Sequence, residues 1–421
     1  LVGSEMCIRD RYTNSNSSFE LRDGKMDRLQ QSTENGLGLN LYVDGRFGSF
    51  STNRLDKKEL ETLITNGIES TRYLAVDESR MLADPARYYK GGKPDLQLFD
   101  KKLYEVNPDD KVAIARAAAE EVLGKDERII SVDSSYSDGE GSSYRLISNG
   151  FEGESKSTWF SVSASVSIKG EGEARPQDYW YDSALFYDKL TKTGIGAKAL
   201  ERVLRKLGQK KAKSGKYTMV VDPMNVGNLL SPMLSALYGS ALQQKNSFLM
   251  DKLDTKVASD LFTLRDEPHA IGANGSRYFD NEGVATEPRT VFDKGVLKTY
   301  FIDTYNGKKM DIAPTISAPS RLILTLGDKD LNGLVADIKQ GILVTGFNGG
   351  NSNSSTGDFS YGIEGFLIED GKLTQPVNEM NVTGNMVTLW NSLVAVGNDP
   401  QPNRSWQIPS LVFEGVDFSG L

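Results

Sequence analysis

The sequence predicts an α+β fold in which large antiparallel sheets outweigh a few helices. Three observations carry this. Runs of alternating apolar and polar residues recur through both halves, and several are joined by tight Asp-Gly or Lys-Gly turns. Helical periodicity is confined to a few separated segments. The two patterns do not alternate as strand-helix-strand units, which argues against a doubly wound parallel sheet. Gly supplies 41 of the 421 residues, which favours many turns and hence many strands. A chain of that length exceeds one small core, so two or three domains are expected.

Residues 1–11, LVGSEMCIRDR, have no initiator Met at their start and no recognisable pattern, and are expected to be a non-native lead. From Phe19 the text alternates, with hairpin turns at Asp23-Gly24 and Asp44-Gly45. Leu37, Leu39, Leu41 and Val43 share one face at period two. A helix follows, capped by Asp56 with Glu59 three residues on, and striped by Leu60, Leu63, Ile64 and Ile68. Residues 77–103 read as loop. Asn107-Pro108 opens a second helix whose Val112, Ala115, Ala119 and Val122 share a face, with Gly124 at its end. Strands are expected at 129–136, 144–149 and 158–169, then a helix near 195–207.

The second half opens with a strand at 217–221, a turn at Asp222-Pro223 and a helix over 226–243. Strands follow at 261–264, 290–293, 296–302, 322–326, 342–347, 362–369, 373–377 and 410–418, with helices at 331–339 and 385–394. Lys294-Gly295 and Asp370-Gly371 mark hairpin turns. The expected division is an N-terminal α+β region over 12–212, with subdomains 12–104 and 105–212, and a β-rich domain over 213–421.

Composition excludes several functions. The net charge of −8 opposes a nucleic-acid surface. The one basic cluster, 202–216, begins among Val203, Leu204 and Leu207 and reads as a solvated helix end. No run of 18 apolar residues exists to span a membrane. The single cysteine, Cys7, excludes an internal disulfide and fits a reducing, cytoplasmic setting. With that cysteine and one histidine, His269, the chain is poorly equipped for a zinc site or a Ser-His-Asp triad. No metal or cofactor is expected in it, and catalysis has to rest on carboxylates, Lys, Tyr or a partner chain.

The segment from Gly341 to Lys372, GILVTGFNGGNSNSSTGDFSYGIEGFLIEDGK, crowds Gly, Asn, Ser and Thr between two strand patterns. Such a loop suits close approach of a ligand or another chain. Asn348, Gly349, Asn351, Thr356 and Asp358 are its candidates for substrate or partner contact; the alternative is an ornate hairpin whose side chains bond their own backbone. Asp266 and Glu267 beside His269 could form a carboxylate site, or belong to a plain loop. Asp280, Glu282 and Arg289 could contact a ligand, or form an ion pair fixing a turn. Arg404 and Trp406 could anchor an interface or simply pack.

Three blocks in order, NGLGLNLYVDGRFGSFST (35–52), YFDNEGVATEPRTVFDKGVLKTYFIDTYNGKK (278–309) and GFNGGNSNSSTGDFSYGIEGFLIEDGKLTQPV (346–377), resemble the TldD/PmbA family of peptidases, also described as modulators of DNA gyrase. The closing NSLVAVGNDP (391–400) fits as well. The TldD branch carries HExxxH on a helix and a late Cys as a further zinc ligand, with the Glu activating water. On the matching GNLLSPMLSALYGSA of this chain, the ligand and base positions fall on Ser231, Pro232 and Ala236. The late Cys-Gly-Lys is absent; Val396-Gly397-Asn398 stands in a related region. The resemblance therefore implies the metal-free PmbA/TldE branch. It further implies a TldD-like zinc partner, a heterodimeric chamber, and unfolded peptide as substrate. The alternatives are a stand-alone peptide-binding homodimer, and an enzyme that works through its own carboxylates.

Overall fold

The computed structural model describes residues 6–421 and divides into two compact units. Unit 1 comprises the described residues up to Leu204 together with His269–Thr286; unit 2 comprises Arg205–Pro268 and Glu287–Leu421.

Unit 1 is built on one antiparallel sheet. Its strands are β1 (Met6–Arg22), β2 (Lys25–Val43), β3 (Arg46–Thr52), β4 (Ile129–Ile147), β5 (Phe151–Ile168) and β6 (Gln177–Ala184), in the order β3-β2-β1-β4-β5-β6. Asp23-Gly24 and Asp44-Gly45 form the first two hairpin turns, with positive φ at all four residues, as a type I′ turn requires. Three helices flank the sheet: α1 (Lys57–Thr71), α2 (Pro108–Glu120) and α3 (Ile195–Leu204). Asp56 caps α1 by accepting from the Glu59 amide at 3.1 Å, and Leu63, Ile64 and Ile68 pack on Cys7, Leu39, Leu41 and Val43. Asn107 caps α2 in the same way through the Asp110 amide. The Glu121 carboxylate accepts from the amides of Gly194, Gly196 and Ala197 at the start of α3.

Lys111 of α2 reaches into the sheet, with its Nζ 2.7 Å from Asp138 Oδ2 and 3.1 Å from the Ser17 hydroxyl. Ser17 and Tyr136 both donate to the Asp138 carboxylate. Burial, reinforced by the Asp138 charge, pushes the Tyr136 phenol far above its ordinary value. The four groups therefore satisfy one another with little of their surface exposed.

Two expectations change in this unit. The break expected at 137–143 is absent, and β4 runs through it. Its polar middle finds cross-strand partners: Ser135 with Ser163, Ser143 with Ser155, and Ser137 with Ser18. β6 was not expected, because QDYWYDSA has no clean alternation; it pairs with β5 along its whole length. Of the lead expected to be foreign, residues 1–5 lie outside the described residues, while Met6–Arg11 continue β1 and bury Cys7.

Unit 2 is centred on β7 (Gly215–Val221). Next come α4 (Gly227–Ser235) and α5 (Gly239–Gln243), then β8 (Leu264–Asp266), β9 (Arg289–Asp293) and β10 (Val296–Leu297). After these lie α6 (Thr304–Met310), β11 (Leu322–Leu324), α7 (Leu331–Ala336), β12 (Gln340–Ser352), β13 (Asp358–Glu369) and β14 (Lys372–Asn385). The chain closes with α8 (Met386–Asn391), β15 (Leu393–Val396), β16 (Trp406–Gln407) and β17 (Leu411–Ser419). The main sheet has the order β14-β13-β12-β7-β17-β15, and β14 also reaches β17. A smaller sheet runs β10-β9-β8-β11-β16. Most pairings are antiparallel; β7 with β12 and β11 with β16 are parallel.

The cut expected at 212/213 falls inside this unit. The Lys210 amide donates to Pro376 and the Leu421 amide to Ala212, which fastens the connecting segment to the second sheet system. Residues 269–286 belong to unit 1 because Tyr89 stacks on Tyr278 with ring centres 5.1 Å apart, and the Tyr278 hydroxyl donates to Pro94. The single helix expected over 226–243 is two. Pro232 has no N–H to give the preceding turn, α4 ends at Ser235, and Gly239 restarts the chain against Asn306. The strand expected at 296–302 shrinks to two residues, and α6, capped by Asp303, stands beyond it.

Candidate functional site

The Gly-Asn-Ser segment is more strand than loop. β12 extends to Ser352 and β13 starts at Asp358, leaving a short connection, Asn353–Gly357. Two bulges, at Val344/Gly346 and Phe347/Gly350, absorb the extra residues. Gly350 lies at φ +95°, and a Cβ there would sit 2.1 Å from the Ser360 carbonyl. Gly365 on the facing strand would clash with Leu343 O at 1.8 Å. The chain composition thus serves close approach of two strands to one another.

The connection bonds to itself. Asn353 Oδ1 accepts from the Ser355 and Thr356 amides. The Thr356 hydroxyl donates to Asp358 Oδ2 at 2.7 Å, and Asn385 Nδ2 donates to Asp358 Oδ1 and the Thr356 carbonyl. These donors, Asn385 foremost, hold the Asp358 carboxyl below its usual range. Asn385 also caps α8 through the Val387 amide. Asn385→Ala should therefore cost unit 2 about 1–2 kcal/mol in thermal denaturation, whereas Asn348→Ala should cost almost nothing.

Thr356 and Asp358 are thus engaged within the turn. Asn348, Gly349 and Asn351 are exposed, and among the described residues the Asn348 and Asn351 side chains have no hydrogen-bond partner. The remaining candidates separate. Asp280 is buried and its Oδ1 accepts from the amides of Glu282 and Val284, fixing a turn. Glu282 belongs to unit 1, while Arg289 starts β9 in unit 2, opposite Asp266 in register. Asp266 is buried and accepts from the Ser320 and Arg321 amides; Glu267 pairs with Arg265. His269 Nε2 lies 3.1 Å from the Thr286 hydroxyl, with its ring against Tyr278. Trp406 sits half-buried in β16, and the Arg404 carbonyl accepts from Gln407.

On α4, Ser231 is exposed, Pro232 stands within the helix, and Ala236 is buried just past its end. A hydroxymethyl, a pyrrolidine ring and a methyl do not fit zinc, which takes imidazole, thiolate or carboxylate donors. The late segment is equally occupied: the Gly397 amide donates to Ser410 and Asn398 Nδ2 to Asp328. Among the described residues, no group of three or more His, Cys, Asp or Glu could hold a metal ion. An open cleft of about 380 Å³ in unit 1, with Lys111, Asp138 and Ser17 in its lining, was not anticipated. Its signal was a charge within the apolar stripe of α2, four residues before Ala115.

The fold and these surfaces define a strand-rich, two-unit α+β protein that displays an Asn-bearing hairpin and has Ser231, Pro232 and Ala236 on and just past α4. The chain belongs to the PmbA/TldA metallopeptidase family: the family's domain 1 matches residues 12–71, its central domain 101–207 and its C-terminal domain 214–420. A Haemophilus influenzae protein named Metalloprotease PmbA homolog is 28% identical over 411 residues, covering 96% of this chain and 90% of its own. A solved structure from Bacteroides thetaiotaomicron, described as a modulator of DNA gyrase, is 72% identical with a TM-score of 0.97, covering 99% of this chain and 95% of its own. TldE from Thermococcus kodakarensis shares the fold at 20% identity and a TM-score of 0.85, covering 99% of this chain and 97% of its own. No helix among the described residues is long and apolar enough to cross a membrane.

Proposed function

We propose that this chain is the metal-free, PmbA/TldE-type subunit of a two-chain zinc peptidase. It walls a chamber and docks unstructured peptide, while a TldD-like partner holds the zinc and cleaves the amide. The observation that supports the reading is the chemistry of α4 and its end: Ser231, Pro232 and Ala236, which the family resemblance would set at two ligands and a base, offer no imidazole, thiolate or carboxylate. The family is one of metallopeptidases, so the metal chemistry falls to another chain. Peptide docking is assigned to the exposed face of the β12–β13 hairpin. The Asn348 and Asn351 amides can each donate and accept, which matches the alternating groups of an extended backbone. The lone cysteine supports a cytoplasmic setting for the pair.

Mixing this chain with a histidine-bearing TldD-like chain encoded in the same genome should yield a heterodimer. The mixture should cleave unstructured peptides and lose activity to a chelator. Asn348→Ala with Asn351→Ala should lower its turnover about tenfold. Stoichiometric zinc in the partner-free chain, or cleavage by that chain in chelator, overturns the reading.

A further inference from the structure

The first sheet leaves a long edge open. β3 covers β2 only over Leu37–Val43, so Lys25–Gly36 pair with β1 on one side and, among the described residues, with nothing on the other. Lys25–Asn35 are all exposed, with Leu29 at 55%. The stretch carries no Pro; its one bulge, at Asp27, lies beside the turn, and from Arg28 onward the strand is regular. Edges of this length act as templates for a further strand unless something covers them.

We infer that this edge is an interaction surface for a second copy of the same chain, joined antiparallel with Gln31 facing Gln31 on the twofold axis. The register follows from geometry and charge. An antiparallel join of two identical edges places the axis perpendicular to the sheet, so each face stays on its own side. Residues facing across the join must then point the same way, and in a pleated strand only positions an even number apart do so. Among the registers this allows, one opposes unlike charges at both ends: Arg28 meets Glu34, twice by symmetry. It also sets Leu29 against Thr33 and Gln30 against Ser32, all within the stretch from Arg28 to Asn35 that pairs regularly with β1. The neighbouring allowed registers face Arg28 with Ser32 or with Gly36 and form no ion pair. Glu34 accepts from the Tyr12 hydroxyl through Oε1 at 3.2 Å, which leaves its second oxygen for Arg28 of the other copy. Unlike cross-strand pairs stabilise such a join and like pairs oppose it.

The proposal is independent of the heterodimer above and is tested on this chain alone. Sedimentation equilibrium from about 1 to 100 µM should show mass rising from 46.3 kDa towards twice that value. Arg28→Glu and Glu34→Arg should each weaken association at least about tenfold with unchanged circular dichroism. Mixing these two variants should restore it, because both ion pairs re-form across the mixed dimer. Gln31→Pro should abolish it. A monomer throughout the range, a dimer indifferent to Arg28→Glu and Gln31→Pro, or variants that fail to rescue each other overturns the assignment.

Discussion

Asp138→Ala is expected to destabilise unit 1 by about 3–5 kcal/mol, the usual consequence of leaving one buried charge without its partner. The Lys111 side chain is 9% exposed and that of Asp138 1%. Removal of the carboxylate strands the ammonium among Phe19, Tyr136 and Ser17, and takes the acceptor from two hydroxyls at once. Pairing the change with Lys111→Met should recover most of the loss, since an apolar pair of similar volume removes both desolvation penalties. Two units make a single unfolding free energy ill-defined. Hydrogen exchange at β4 amides therefore gives the cleaner measurement, and a loss below about 1 kcal/mol would show that water reaches the pair.

Trp390→Ala should be comparably severe in unit 2, about 3–5 kcal/mol. The indole is fully buried, 4.4 Å between ring centres from Phe262 and 5.6 Å from Phe413. Its Nε1 donates to the Leu229 carbonyl, two residues before Ser231. The helix that bears Ser231 and Pro232 is thus held from α8, and its amides should exchange faster in the variant. Trp390→Phe retains most of the ring packing and should cost about 0.5–1.5 kcal/mol, chiefly through the lost indole hydrogen bond. Calorimetry on both variants separates packing from the hydrogen bond; equal losses would mean that the cavity counts for little.

Local chemistry made much of this fold legible. The Asp-Gly turns, the Asp56 and Asn107 caps and the stripes of α1 and α2 each act within a few residues, and the structure places them where the pattern indicates. Interactions distant in sequence were not legible. The polar middle of β4 looked like a gap because Ser143 meets Ser155 across the sheet, and Asp138 meets a lysine 27 residues earlier. The parallel partners of β7 and β11 lie far along the chain, so no turn announces them. At the candidate site, the crowding of Gly and Asn was visible. Its division into a self-bonded turn at 353–358 and free amides at Asn348 and Asn351 depended on Asn385, contributed from the next strand.

The position of β7 has a consequence for biosynthesis. This strand is made well before its two neighbours, β12 and β17. A nascent polypeptide therefore carries the apolar Met219-Val220-Val221 strand open on its second side until residues 411–419 have been made. A message cut short before β17 yields a product whose central strand stays open on one side, a form that chaperones and proteases can distinguish from the folded protein.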